Sequence, residues 1–261
     1  MKILDGRELA DYIKERQFHV VRELRDKPQL MIVRDSDNPV IMKYVNLKMQ
    51  YGEDIGIKVI DAFASGNDEL HKVITEANAN PEVSGIIVQL PLLDREKTDE
   101  ITSLIAPEKD VDGLTINGAF DSATATAINW LLAGYGVDMT AQKIAIVGKG
   151  KLVGAPLLKM WKNSGFDVTV FHRGDDLSAL RNYSLIVSAT GIPHLIKNEM
   201  VAPGAIVVDA GTASEGGVLV GDVAKEVRDR NDLTALTPRV GGVGPLTVTC
   251  LFEHVIEAKT K

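Results

Sequence analysis

Short apolar runs alternate along the chain with longer stretches in which apolar residues recur every three or four positions. Residues 29–33, 57–61 and 85–90 are apolar runs of strand length. Each is followed by a segment of helical period, at about 39–52, 68–79 and 98–105. Asp5 and Glu8 stand at capping-box spacing ahead of an earlier helix reaching about residue 25, and Pro39 suits the first turn of the helix it opens. The rhythm resumes beyond residue 124 with a helix at 125–134, a strand at 143–147, a helix at 153–163 and a strand at 167–172. Strands at 184–189 and 205–209, a hairpin edge at 216–221 and a last helix at 246–258 complete the pattern. Alternating strands and helices predict an α/β protein with mostly parallel sheets. The uninterrupted apolar character of GIIVQL (85–90) predicts a strand buried on both faces. The small and polar residues of 118–123 mark a domain boundary.

Composition adds limits. The 261 residues are 45% hydrophobic and 25% charged, ordinary for a globular chain able to bury a core without covalent staples. Cys250 is the one cysteine, so no intrachain disulfide forms, and a reducing, cytoplasmic location is expected. The charged N-terminal segment does not read as a signal peptide, and no apolar run approaches the ~18 residues of a membrane span. The net charge of −7 argues against a general nucleic-acid surface. His19, His71, His194 and His254 show no clustered spacing, so no metal site is expected. Trp130, Trp161 and Cys250 read as packing residues.

Two regions carry candidate chemistry. The strand 143–147 runs into Gly148, Lys149, Gly150 and Gly154, where glycines permit a tight turn and close approach of backbone to a pyrophosphate. The spacing departs from the common GxGxxG because Val153 stands where the third glycine is expected. A plain β–α turn is the alternative; the strand–glycine–helix context favours a nucleotide-binding, Rossmann-type domain. No acid ends the next strand. Arg173 there, with Lys149, suits a ribose 2′-phosphate, which favours NADP over NAD; otherwise Arg173 is a solvated loop residue. Thr190 and Gly191, and later Asp209, Ala210 and Gly211, follow strands on which a dinucleotide can lie.

In the first half, Tyr44 and Lys48 share one helical face with Ile41. A lysine on an apolar stripe either snorkels to water or is desolvated, with its pKa lowered toward neutrality and proton transfer. Gln89 closes an apolar strand, where a polar side chain faces either a ligand or solvent. Lys109, Asp110, Val111, Asp112 and Gly113 place two carboxylates in a loop lacking the remaining calcium ligands. Asp112 is either an acceptor for the N–H groups of a heterocycle or a turn cap. Gly241, Gly242 and Gly244 precede Pro245 in a constrained loop before the last helix.

Taken together, Tyr44 with Lys48, VQLPL (88–92), PEKDVDG (107–113), Gly148 with Gly154 and Pro156, Ala189 to Gly191, and GGVGP (241–245) resemble the bifunctional methylenetetrahydrofolate dehydrogenase/cyclohydrolase family over nearly the whole chain. The resemblance implies two α/β domains flanking a cleft. Residues 1–119 with 242–261 would form the catalytic folate domain and 120–241 the dinucleotide domain, commonly in a homodimer. It implies oxidation of 5,10-methylenetetrahydrofolate with NADP (NAD remaining an alternative), then hydrolysis to 10-formyltetrahydrofolate. Lys48 would transfer protons, Gln89 tune it, Tyr44 stack on the substrate and Asp112 hold the pterin. Leu90, Gly241, Gly242 and Pro245 would complete the folate site. Gly148, Lys149, Gly150, Gly154, Arg173, Thr190, Gly191 and Thr212 would hold the cofactor. The sequence departs from the family at Ser122 to Ala125, at Lys149 and Gly150, at Ile41 and Gln50, and at Arg239 and Val240.

Overall fold

The computed structural model describes residues 1–115, 117–215 and 218–261, with the side chains of Ser214, Glu215 and Val218 excepted. Ile116 in the loop after Asp112, and Gly216 and Gly217 of the expected hairpin, lie outside the described residues. The elements in chain order are β1 (Lys2–Ile3), α1 (Gly6–Glu23), β2 (Gln29–Arg34), α2 (Pro39–Ile55), β3 (Lys58–Phe63), α3 (Asn67–Ala79), β4 (Gly85–Val88) and α4 (Thr98–Ser103). They continue with α5 (Ala123–Gly134), β5 (Ile144–Val147), α6 (Gly154–Asn163), β6 (Val168–Phe171), β7 (Leu185–Ser188) and β8 (Ile206–Asp209). The last are β9 (Ala213–Glu215), β10 (Val218–Val220), α7 (Lys225–Arg228), β11 (Ala235–Leu236) and α8 (Val243–Thr260).

The chain forms two compact units, residues 11–123 with 248–261, and residues 1–10 with 124–247. The first holds a three-stranded parallel sheet in the order β3-β2-β4. Val33, Ile86 and Val88 of that sheet pack with Leu70 and Ile74 of α3 and Ile101 of α4. All of β4 is buried, as its continuous apolar sequence requires. The strand stops at Val88, so Gln89 and Leu90 leave the sheet, and the Leu90–Pro91 peptide is cis.

The second unit holds a six-stranded sheet in the order β1-β11-β8-β7-β5-β6, parallel throughout. Its core gathers Val147, Ile186, Val207, Val227 and Leu236. The expected domain limits differ from these units at the N-terminus, at residues 120–123, which group with the three-stranded unit, and in the last helix. Residues 1–10 join the six-stranded unit because β1 pairs in parallel with β11. The last helix begins at Val243, and its residues through Thr247 group with the same unit. Trp161 is fully buried and donates to Asn129 Oδ1 at 2.6 Å, whereas Trp130 is half-buried, short of the expected core position. Among the described residues, no helix is long and apolar enough to cross a membrane.

Candidate active site

In the three-stranded unit, α2 opens with Asn38 accepting from the Val40 N–H at 2.9 Å and Pro39 in the first turn. Its buried stripe runs Ile41, Val45, Gly52 and Ile55. Lys48 occupies the place in that stripe between Val45 and Gly52, three and four residues from each, where helix period demands an apolar residue. Its ammonium donates to Gln89 Oε1 at 2.7 Å. Gln89 is held at the end of β4 by its own N–H on Val33 O at 2.8 Å. Its amide nitrogen donates to Leu90 O at 3.1 Å, and that bond turns Oε1 toward Lys48. Burial lowers the Lys48 pKa below its usual value, against the opposing pull of the Asp112 carboxylate. Burial likewise raises Asp112 to about 6, with Lys48 opposing and Asp110 reinforcing the shift. Tyr44, one turn before Lys48, is half-buried, and burial raises its phenol pKa.

The loop KDVDG divides its work residue by residue. Lys109 Nζ donates to the carbonyls of Ala77, Asn78 and Asn80 at 3.1, 2.9 and 2.7 Å, closing the C-terminal end of α3. Asp110 is fully buried, and its oxygens accept from the N–H groups of Gly113 (3.1 Å) and Thr115 (2.7 Å). Of the two carboxylates read from the sequence, Asp110 therefore builds the loop. Asp112 spends its backbone carbonyl on the Ala123 N–H at 3.2 Å, and its carboxylate makes no hydrogen bond among the described residues. It lies close enough to Lys48 for each charge to act on the other.

In the six-stranded unit, β5 leads through Gly148 to α6. Gly148 has φ +93°, and a Cβ there would meet Ala189 O at 2.9 Å. A Cβ on Gly154 would lie 2.0 Å from Gly148 O, so the start of α6 is packed on the turn. Gly154 thus performs the helix-packing task of the third glycine one position later than the common spacing. Around Gly150 the nearest atom to such a Cβ is Ala189 O at 4.0 Å, which leaves its backbone open to a pyrophosphate. No side chain caps α6. Lys149 and Arg173 are exposed, and Arg173 makes no ion pair among the described residues. The neighbouring carboxylates are engaged elsewhere: Asp175 accepts from the His172 N–H at 2.6 Å and Asp176 from the Ser178 N–H at 2.9 Å.

The ends of β7 and β8 are fixed by two buried acids that sequence reading left without a role or passed over. Asp222 Oδ2 accepts from Ser188 Oγ, Thr190 N and Thr190 Oγ1 at 2.6, 2.7 and 2.9 Å. Asp209 pairs with Arg228 and accepts from the N–H groups of Asp222 and Val223, both at 3.0 Å. Gly191 follows with φ +66°, and Thr212 is exposed beyond β8. Gly241 has φ +94° and its carbonyl accepts from the Gly6 N–H at 2.8 Å; Gly242 is buried and Pro245 half-buried. These three belong to the six-stranded unit, while Tyr44, Lys48, Gln89, Leu90 and Asp112 lie together in the other. Among the described residues, no three His, Cys, Asp or Glu side chains converge as a metal site.

A parallel sheet with a glycine turn at its β5–α6 crossover in one unit, and a part-buried group of Lys48, Gln89 and Asp112 in the other, together mark a dinucleotide-linked α/β enzyme. Residues 4–112 match the Tetrahydrofolate dehydrogenase/cyclohydrolase, catalytic domain, and residues 122–261 match its NAD(P)-binding domain. The chain belongs to the tetrahydrofolate dehydrogenase/cyclohydrolase family. It is 36% identical to the Bifunctional protein FolD of Aquifex aeolicus, over 98% of this chain and 94% of that one. The solved bifunctional enzyme FolD of Campylobacter jejuni superposes with a TM-score of 0.90 at 33% identity, covering 100% of this chain and 99% of its own. The Trypanosoma brucei methylenetetrahydrofolate dehydrogenase-cyclohydrolase, complexed with NADP cofactor and inhibitor, gives 0.90 at 28% identity, covering 99% and 97%.

Proposed function

We propose that this protein oxidises 5,10-methylenetetrahydrofolate to the 5,10-methenyl cation with NADP and hydrolyses that cation to 10-formyltetrahydrofolate. The observation that carries the reading is the Lys48 Nζ to Gln89 Oε1 hydrogen bond of 2.7 Å, on a lysine whose pKa burial lowers, close to the carboxylate of Asp112. Water adds to the methenyl carbon while neutral Lys48 takes its proton. The same proton returns to the ring nitrogen as the carbon–nitrogen bond opens, and the carbinol hydroxyl releases its own proton to solvent as it becomes the carbonyl, leaving the formyl group on the other nitrogen. Gln89 holds the amine in line. Asp112 accepts from the N–H groups of the pterin, Tyr44 stacks on the substrate's aromatic portion, and Leu90 lines the folate site.

NADP, when bound, accepts the hydride from the methylene bridge. The turn supports its site: Gly150 leaves room for the pyrophosphate, Gly148 and Gly154 set the loop, and Lys149 and Arg173 supply cations for the 2′-phosphate. Thr190, Gly191 and Thr212 line the nicotinamide end. We place the enzyme in the cytoplasm, in keeping with its one cysteine being buried and free of a disulfide. We take it as a homodimer; the exposed Phe63 on the edge strand β3, and the exposed Met49 that shares a surface pocket with Lys58 and Val59 of that strand, support self-association. The test is a spectrophotometric assay with methylenetetrahydrofolate and either NADP or NAD, following reduced cofactor and methenyl product. Reduction of NADP without methenyl accumulation is expected, after subtraction of spontaneous hydrolysis. Accumulating methenyl product would remove the hydrolase half of the reading.

A further inference from the structure

His254 lies on α8, in the same unit as the lysine site, and is 7% exposed. Its Nδ1 stands 2.8 Å from Val111 O. A carbonyl can only accept, so Nδ1 carries the proton and Nε2 is left as the acceptor facing Cys250 Sγ at 3.5 Å. The ring is clamped on its face as well, stacked on Phe120 at 4.8 Å between centroids with planes 24° apart. Val111 O belongs to the peptide group whose N–H is that of Asp112. Fixing this carbonyl fixes that peptide plane, and with it the direction in which Asp112 leaves the main chain. The next peptide is pinned at Asp112 O by the Ala123 N–H at 3.2 Å. Both peptide groups flanking Asp112 are thus tied, while its carboxylate makes no hydrogen bond of its own among the described residues.

We propose that His254 is a positioning residue for the folate reaction, holding the Val111–Asp112 peptide so that the Asp112 carboxylate faces Lys48 and the pterin. The inference rests on the reading of Asp112 given above, and its test separates the two. His254→Leu removes the donor. His254→Asn keeps it, because an asparagine amide nitrogen falls near the place of Nδ1. Far-UV circular dichroism and thermal melts establish that each variant is folded. The Leu variant is expected to lower kcat/KM for methenyl hydrolysis about tenfold, and the Asn variant to restore most of it. If His254 acts through Asp112, His254→Leu costs nothing further in an Asp112→Ala background. The titration of Asp112, followed by carbon-13 NMR of aspartate-labelled protein, should move in the Leu variant and return in the Asn variant. An unmoved titration, or losses that simply add in the double variant, would overturn the proposal. A titration that moves while Asp112→Ala leaves hydrolysis intact would sustain the positioning role and discard the assignment of Asp112 to substrate.

Discussion

Lys48 sits where the α2 stripe calls for an apolar side chain, and desolvation weakens its hold on a proton while Asp112 strengthens it. Replacing Asp112 by Asn takes away the stabilising charge and leaves the burial. The Lys48 pKa should then fall further, and the limb of the hydrolysis pH profile set by the free lysine should move to lower pH. A limb that moves upward or stays put would separate the two groups. Lys48→Met keeps the length and apolar stem but has no proton to exchange. Methenyl hydrolysis should drop by about 10² to 10⁴-fold in a chain that remains folded by circular dichroism. Arg173 makes no ion pair among the described residues, so Arg173→Ala should raise the KM for NADP by roughly 10- to 100-fold, the worth of one charge-assisted hydrogen bond, and hardly alter that for NAD. Equal effects on both cofactors would remove Arg173 from the 2′-phosphate.

At the scale of elements, the glycine turn after β5 joins two demands: a positive φ at Gly148 and contact of Gly154 with the carbonyl before it. A methyl group at residue 154 would lie 2.0 Å from a backbone oxygen that cannot rotate away. Gly154→Ala is therefore expected to push α6 off the turn and weaken NADP binding, measured by titration of cofactor fluorescence. Hydrolysis of supplied methenyl substrate should persist, because Lys48, Gln89 and Asp112 lie in the other unit. Most elements were legible because each is a single run with its own period: apolar continuity for β4, β7 and β8, a three-to-four spacing for α2 and α3. The strands β1 and β11 were not, since two residues carry no period and form only by pairing with each other and with β8. Lys48 was legible as a charge on an apolar stripe. Asp110 and Asp112 were not separable in sequence, because their roles depend on which carboxylate the loop's N–H groups reach. His254 read as bland because its partner, Val111 O, is a backbone carbonyl 143 positions away.

At the scale of the whole chain, α8 supplies residues to both compact units, with the division after Thr247. The part beyond it buries Cys250, Leu251, Phe252, Val255 and Ile256, and Phe252 stacks on Tyr51 of α2 at 4.8 Å between centroids. Gln17 of α1 adds a hydrogen bond to Thr249 O at 2.9 Å. Losing one buried side chain of this kind costs about 2–5 kcal/mol, and a domain's whole stability is about 5–15 kcal/mol. Removal of several at once therefore exceeds what the three-stranded unit can lose. A chain ending at Thr247 should leave α1 and α2 without their partner and the Lys48–Gln89 pair without a fixed frame. Methenyl hydrolysis is expected to vanish and residues 11–123 to become sensitive to limited proteolysis. The six-stranded unit keeps its sheet and its glycine turn in that chain, so NADP should still bind and protect residues 124–247 from the protease. Retained hydrolysis would mean that α8 is dispensable to the lysine site, and cofactor binding lost along with it would mean that the two units do not fold independently.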